Sequence, residues 1–205
     1  MPDVLYEVKE GGVAWITLNR PDSLNAMGGE LMPLLGKHLA DCAANDEVRC
    51  VVLTGAGLSL ALACDIRIAS ENAKMGTVFR NVGFSGDFGG SWFLPRLVGI
   101  EQARRLYFTG EVLDAHRAKN IGLVSQIVPH DDLEKETMAL ASHLASGPTL
   151  AYARMKENLN RSASVDLATL LDQEALNMIL SSTTQDHQEA AKAFVEKRKP
   201  AFVGQ

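Results

Sequence analysis

Between Val82 and Trp92 the chain reads VGFSGDFGGSW, which sets one carboxylate, Asp87, among four glycines and three large aromatic rings. An acid in that company can do proton chemistry. Phe79, Phe84, Phe88 and Trp92 would together exclude water, and dehydration disfavours the ionised form, raising a carboxyl pKa from its reference of about 3.9 toward neutrality. An Asp tuned in this way takes a proton and returns it at the same pH. A structural role competes with that one, because Asp ahead of Gly-Gly-Ser and an apolar helix is also a favoured turn residue and N-cap. The two roles are compatible in one side chain.

A second candidate is GAGLSLA, Gly55 to Ala61, since a glycine turn that opens a helix is how dinucleotide folds present N–H groups to a pyrophosphate. Its fingerprint is incomplete: Leu60 stands at the third glycine, and Thr77 stands where an acidic residue would be needed. Close helix–strand packing explains the same glycines, and a dinucleotide-binding oxidoreductase stays as an alternative from another class. Ser59 has no GxSxG elbow around it. His38, His116, His130, His143 and His187 lie at no metal-ligand spacing, and Cys42, Cys50 and Cys64 are an odd, widely spaced set. Buried free thiols and no metal are expected.

A net charge of -5 leaves no basic face for a nucleic-acid backbone or an anionic membrane surface. Small molecules are the expected partners. The N-terminus is acidic where a signal peptide is basic, and no segment has the eighteen or so apolar residues of a membrane span, so a cytoplasmic location is expected.

The elements that must position these residues follow from periodicity. Val4 to Lys9 and Val13 to Leu18 alternate around Glu10-Gly11-Gly12 as a hairpin does, and Glu30 to Asn45 has helical spacing with Pro33 in its first turn. Cys50 to Thr54 reads as a strand buried on both faces. An apolar helix follows the glycine turn, and Ile66 to Ile68 reads as a strand. Helices are predicted over Ser91–Val98, Ile100–Thr109 and Ala115–Ile121, then a strand over Leu123–Val128. Beyond Pro129 four helices are predicted, 131–146, 149–160, 165–181 and 184–197. The order argues an α/β core over 1–129 and a helical region over 130–205.

LNRPDSLNAM, LSLALACDIRIAS, GDFGGSWFLPRLVG, ARRLYFTGEVLDAHRAKNIGLVSQIV and AFVEKRKPAF occur in the order in which similar strings occur in the crotonase (enoyl-CoA hydratase/isomerase) superfamily. The resemblance runs over nearly the whole chain. It implies a spiral of ββα units with a helical C-terminal trimerisation region, acting on acyl-CoA thioesters as a homotrimer or dimer of trimers, with no metal or redox cofactor. It also implies two backbone N–H groups that bind the thioester oxygen as it becomes an enolate. One of these matches Ala56, with Gly57 beside it. Ser23, Leu24 and Ala26 match the stretch that lines the adenine end of CoA, and Phe194 and Lys197 match the helix that closes over it.

Two departures from the family pattern shape the expectation. The positions of the two glutamates of typical hydratases hold Ser59 and Phe79 here, which leaves Asp87 as the one proton carrier. GDFGGSWFLPR is similar to the PDxGGTWLLPR segment of ring-epoxide isomerases, whose catalytic Asp has the corresponding place. An acyl-CoA isomerase is therefore the first expectation, with Phe79, Phe84 and Trp92 lining the acyl pocket; a hydratase using Asp87 and water, and a non-catalytic oligomer partner, are the rivals. The second departure is at Gly55 to Leu58, where the strand passes straight into the helix and a long segment bearing the first oxyanion donor is absent. Either an internal deletion or a longer polypeptide explains the join, and the dozen or more residues that a parallel crossover needs favour the latter.

Overall fold

The computed structural model describes residues 1–23, 25, 26, 28–55 and 57–205. Val4–Lys9 (β1) and Val13–Leu18 (β2) form the hairpin, turning through Gly11 and Gly12 at φ +81° and +77°. Gly12 is fixed twice over, by its left-handed backbone and because a Cβ there would stand 2.5 Å from the Glu47 carbonyl oxygen. Leu31–Ala44 (α1) buries Leu31, Leu35 and Cys42, and Cys50–Thr54 (β3) completes a sheet of order β1-β2-β3. β3 is not buried on both faces as expected: it is the last strand of its sheet, and Val51 is 42% exposed. Of the three cysteines, Cys42 is buried, and Cys50 and Cys64 are half-buried.

Leu58–Leu62 (α2), Ile68–Ser70 (β4), Lys74–Gly76 (β5), Gly90–Val98 (α3), Ile100–Thr109 (α4), Val112–Asp114 (β6), Ala115–Asn120 (α5) and Gln126–Val128 (β7) follow. Of the two strands predicted here, the first keeps its three residues but is shifted to Ile68–Ser70, and the second is shortened to Gln126–Val128. Arg67 is spent on anchoring, its Nε donating to Leu123 O at 2.8 Å and a terminal nitrogen to Cys64 O at 2.7 Å, so β4 begins only at Ile68. Gly122, at φ +79°, turns the chain before β7. β4 pairs with β7 in parallel, Ala69 opposite Ile127, while β5 pairs with β6 antiparallel.

These pairings bear on the Gly55 turn. β3, which ends at Thr54, and β4 belong to different sheets, and α2 starts at Leu58 between them. The turn therefore does not open a strand–helix–strand unit, and α2 has only five residues, which removes the structural basis for pyrophosphate binding.

Contacts divide the chain into two compact units. The first comprises Met1–Glu7, Trp15–Ala44 and Val52–Leu140; the second comprises Val8–Ala14, Asn45–Val51 and Ala141–Gln205. Leu62 of α2, Leu94 of α3, Leu106 of α4, Leu113 of β6 and Ala118 of α5 form the core of the first unit together with Ala69, Ala103, Leu123 and Val124. That core fixes α2, α3 and α4 against one another. No helix among the described residues is long and apolar enough to cross a membrane.

Leu133–Ala145 (α6), Thr149–Ser162 (α7), Leu167–Ser182 (α8) and Gln185–Glu196 (α9) are the four helices anticipated beyond Pro129. Their starts are legible in capping residues: Asp166 accepts from the Thr169 N–H at 3.0 Å, and Thr184 accepts from the His187 N–H at 3.1 Å. Asn177, buried on α8, donates to Asn158 Oδ1 at 2.7 Å and Glu157 Oε2 at 3.1 Å on α7. Beyond α9, Arg198 bonds both carboxylate oxygens of Glu189, and the Ala201 N–H adds a third bond. Those partners hold the Glu189 carboxyl at about 2, below its ordinary 4.5. A lowered carboxylate pKa stabilises above the unfolded value, and that contribution is lost as pH falls from 4.5 through about 2. Glu189→Gln should therefore show a shallower fall in melting temperature than the wild type between pH 5 and pH 2.5, measured by circular dichroism.

Candidate active site

The site is built around Gly90, the buried first residue of α3. A Cβ on Gly90 would stand 2.6 Å from the Tyr107 hydroxyl of α4 and 2.8 Å from Ser59 Oγ in the first turn of α2. Only glycine lets α3 start against these two hydroxyls. The preceding turn carries Asp87, whose carbonyl accepts from the Gly90 N–H at 2.8 Å. Gly86 and Gly89 have φ of +120° and +75°, and Phe88 has φ +44° between them, a left-handed conformation that costs a non-glycine residue roughly 1 kcal/mol or more.

Asp87 differs from expectation in two respects. The N-cap of α3 is Gly89 with no side-chain cap, so the Asp87 carboxylate does not cap the helix. Nor is it dehydrated by a closed aromatic cage, for Asp87 is exposed, Phe84 is 73% exposed and Trp92 is 50% exposed. Trp92 turns outward because Arg96, one helical turn on, lies over its ring with Cζ 3.3 Å from the centroid and donates to the Trp92 carbonyl at 3.0 Å. Phe79 alone of the three expected pocket aromatics turns inward. It lies parallel to Tyr107 with centroids 6.1 Å apart.

Tyr107 was not among the residues that sequence reasoning selected. Its hydroxyl is buried and has no hydrogen-bond partner among the described residues. Burial, and then the charge of Asp87, push its pKa above the ordinary 10.0, so the phenol stays protonated at neutral pH and can only gain by donating. The signal for it, an aromatic inside ARRLYFTG, reads as core in any helical pattern.

Gly57 is the N-cap of α2 with extended backbone at φ -63°, and its carbonyl accepts from the Ala61 N–H at 3.1 Å. Ala56 and Leu24 lie outside the described residues. Ser23 ends a 3-10 turn over Pro21–Ser23, and its carbonyl accepts from the Ala26 N–H at 2.9 Å. Asn25, also unselected in sequence, fastens this loop to the end of β3: it accepts from the Arg20 N–H at 2.6 Å and donates to Gly55 O at 2.9 Å. A depression of about 390 Å3 opens beside it, lined by Asp3, Asn19, Arg20 and Ser23 among others; Asp87 and the aromatics are not part of its wall. Phe194 and Lys197 belong to the second unit, where Phe194 is exposed near the end of α9 and Lys197 closes that helix at φ +54°.

The family profile described as Enoyl-CoA hydratase/isomerase matches residues 54–205, and the chain belongs to that family. The 1,2-epoxyphenylacetyl-CoA isomerase of Escherichia coli K12 is 29% identical over 261 aligned positions, covering all of both chains. Since this chain has 205 residues, that relative carries residues this one lacks. Crotonyl-CoA hydratase of Syntrophomonas wolfei is 38% identical over 149 residues, 73% of this chain and 57% of that one. The crystal structure of enoyl-CoA hydratase from Bacillus anthracis superposes with a TM-score of 0.92 at 27% identity over the full length of both chains, so the fold is that of the crotonases.

Proposed function

We propose that the chain is an acyl-CoA isomerase of the crotonase type, in which Asp87 moves a proton between two carbons of the acyl group. The observation that carries this reading is the junction at Gly90, which brings the Asp87 turn against the first turn of α2, where the residue at the first glutamate position is Ser59. The carboxylate removes a proton from a carbon conjugated to the thioester carbonyl, and the electron pair of the broken C–H bond passes to the thioester oxygen as an enolate. The N–H groups that the family pattern assigns to this role, those of Ala56 and Gly57, receive that charge. The carboxylic acid then returns the same proton to a second carbon as the pair flows back, so nothing is consumed and the thioester itself serves as electron sink. No metal or redox cofactor enters. Exposed in the free chain, Asp87 loses water when the acyl group covers it.

Hydration by Asp87 and water is the second reading, supported by the hydratases among the relatives. Turnover of an enoyl-CoA followed in ordinary and deuterated water separates them: isomerisation leaves the mass of the product equal to that of the substrate, and hydration adds one water. Failure to turn over any acyl-CoA would leave only the non-catalytic role.

The CoA-facing assignments, Ser23, Leu24 and Ala26 with Phe194 and Lys197, go with this reading, as does assembly into a trimer or dimer of trimers. Leu167, Leu171, Leu176, Met178 and Ile179 of α8 are each more than half exposed, as are Phe194 and Val195 of α9, more apolar surface than a lone chain ordinarily shows to water. Light scattering is expected to give at least three copies per particle, and Met178→Asp with Ile179→Asp is expected to release single chains. A single-chain mass for the wild type at micromolar concentration would rule the assembly out.

A further inference from the structure

We propose that Phe88 is a positioning residue: its ring pins the turn that carries Asp87, and the left-handed backbone in which it is held sets the direction of that carboxylate. This rests on the reading of Asp87 as the proton carrier. The Gly90 N–H bonds the Asp87 carbonyl at 2.8 Å, which closes a turn over Asp87 to Gly90 with Phe88 and Gly89 as its central pair, both at positive φ, +44° and +75°. A turn with both central residues at positive φ is dominated by Gly, Asn and Asp. Gly or Asn at 88 would make it without strain, and Phe makes it against one, because a bulky side chain disfavours that region. Strain of this kind persists only where the surroundings over-determine it.

The surroundings do so at both ends of the turn. Gly86 lies against the Tyr107 ring, where a Cβ would stand 3.1 Å from Cε1, and Gly90 lies against the Tyr107 hydroxyl and Ser59 Oγ. Between these ends Gly86, Gly89 and Gly90 have no side chain and Asp87 is exposed, so the half-buried Phe88 is the one side chain from 86 to 90 that can anchor the turn to the protein. Without the ring, glycines on either side let the carboxylate swing on a backbone held at its ends alone. A reacting group displaced by about 1 Å loses up to about 100-fold in rate.

The test is steady-state turnover of the full chain on 3-butenoyl-CoA and crotonyl-CoA, beside thermal melting, for the wild type, Phe88→Ala, Phe88→Gly and Phe88→Tyr. Ala keeps the left-handed cost and loses the ring; Gly loses both. Both are expected to lower kcat about tenfold or more with KM within about twofold of the wild type, and Gly should melt at or above the wild type. Phe88→Tyr, which keeps the ring, should restore kcat. Unchanged kcat in Ala and Gly would overturn the proposal, and so would a raised KM with unchanged kcat, which would make the ring a wall of the pocket. If Phe88→Ala does not melt cooperatively, Phe88→Gly decides. Asp87→Asn assayed alongside separates the two readings: a loss there with none in Phe88→Ala and Phe88→Gly overturns the positioning role alone, whereas full turnover in Asp87→Asn, or none in the wild type on either thioester, overturns both.

Discussion

Asp87→Asn lowers acyl-CoA turnover by roughly 100-fold or more, the scale of a general acid–base contribution, while melting temperature and thioester affinity stay near wild type. Asn keeps the volume and suits the same glycine-rich turn, but its amide cannot accept and return a proton. Asp87→Ala sharpens the result. Loss of a capping side chain costs about 1 kcal/mol, yet Gly89 holds the N-cap of α3 without any side-chain bond, so Ala at 87 should melt as the wild type does. Turnover alone moves in both variants. The measurement is steady-state turnover beside thermal melting on the pair, and an Asn variant with near wild-type turnover would end the proton-carrier role and leave Asp87 as a turn residue.

Local signals in the sequence located most elements, and pairing across distance explains what they missed. The hairpin was legible because strand alternation meets Gly11-Gly12, and α9 because Thr184 caps it. β3 was misjudged since five apolar residues look the same in a central strand and an edge strand; which it is depends on a neighbour elsewhere in the chain. The aromatics near Asp87 were misjudged for a related reason. Closeness in sequence placed Phe84 and Trp92 in a cage, but direction is set by the helix and by Arg96, and only Phe79 turns inward to meet Tyr107 from the next helix but one in the chain. The bond from Asn25 to Gly55 spans thirty residues, and no local pattern announces it. The candidate site is therefore a junction of three elements, α2, α3 and α4, of which the sequence made only the middle one conspicuous.

Asp186→Ala is expected to destabilise the second unit by about 3 kcal/mol, since hydrogen bonds to a buried charge are worth more than neutral ones and their loss strands the partners. Asp186 is 2% exposed in the first turn of α9, and its two carboxylate oxygens accept from the Val203 N–H at 2.7 Å and the Gly204 N–H at 2.9 Å. Its own N–H donates to Gln205 O at 3.0 Å. A second hold comes from Arg49, which donates to Phe202 O at 3.2 Å and Gly147 O at 2.7 Å. Gly204 lies at φ +78°, and a Cβ on it would stand 2.7 Å from Thr149 Oγ1, so the segment fits only with glycine there. Ala at 186 leaves two N–H groups facing a space that a carboxylate had filled, while Asn keeps one acceptor and should lose about half as much. Urea unfolding of the three proteins gives the stability; an unchanged midpoint for Asp186→Ala would mean that Arg49 and the Gly204 turn hold the segment without the carboxylate.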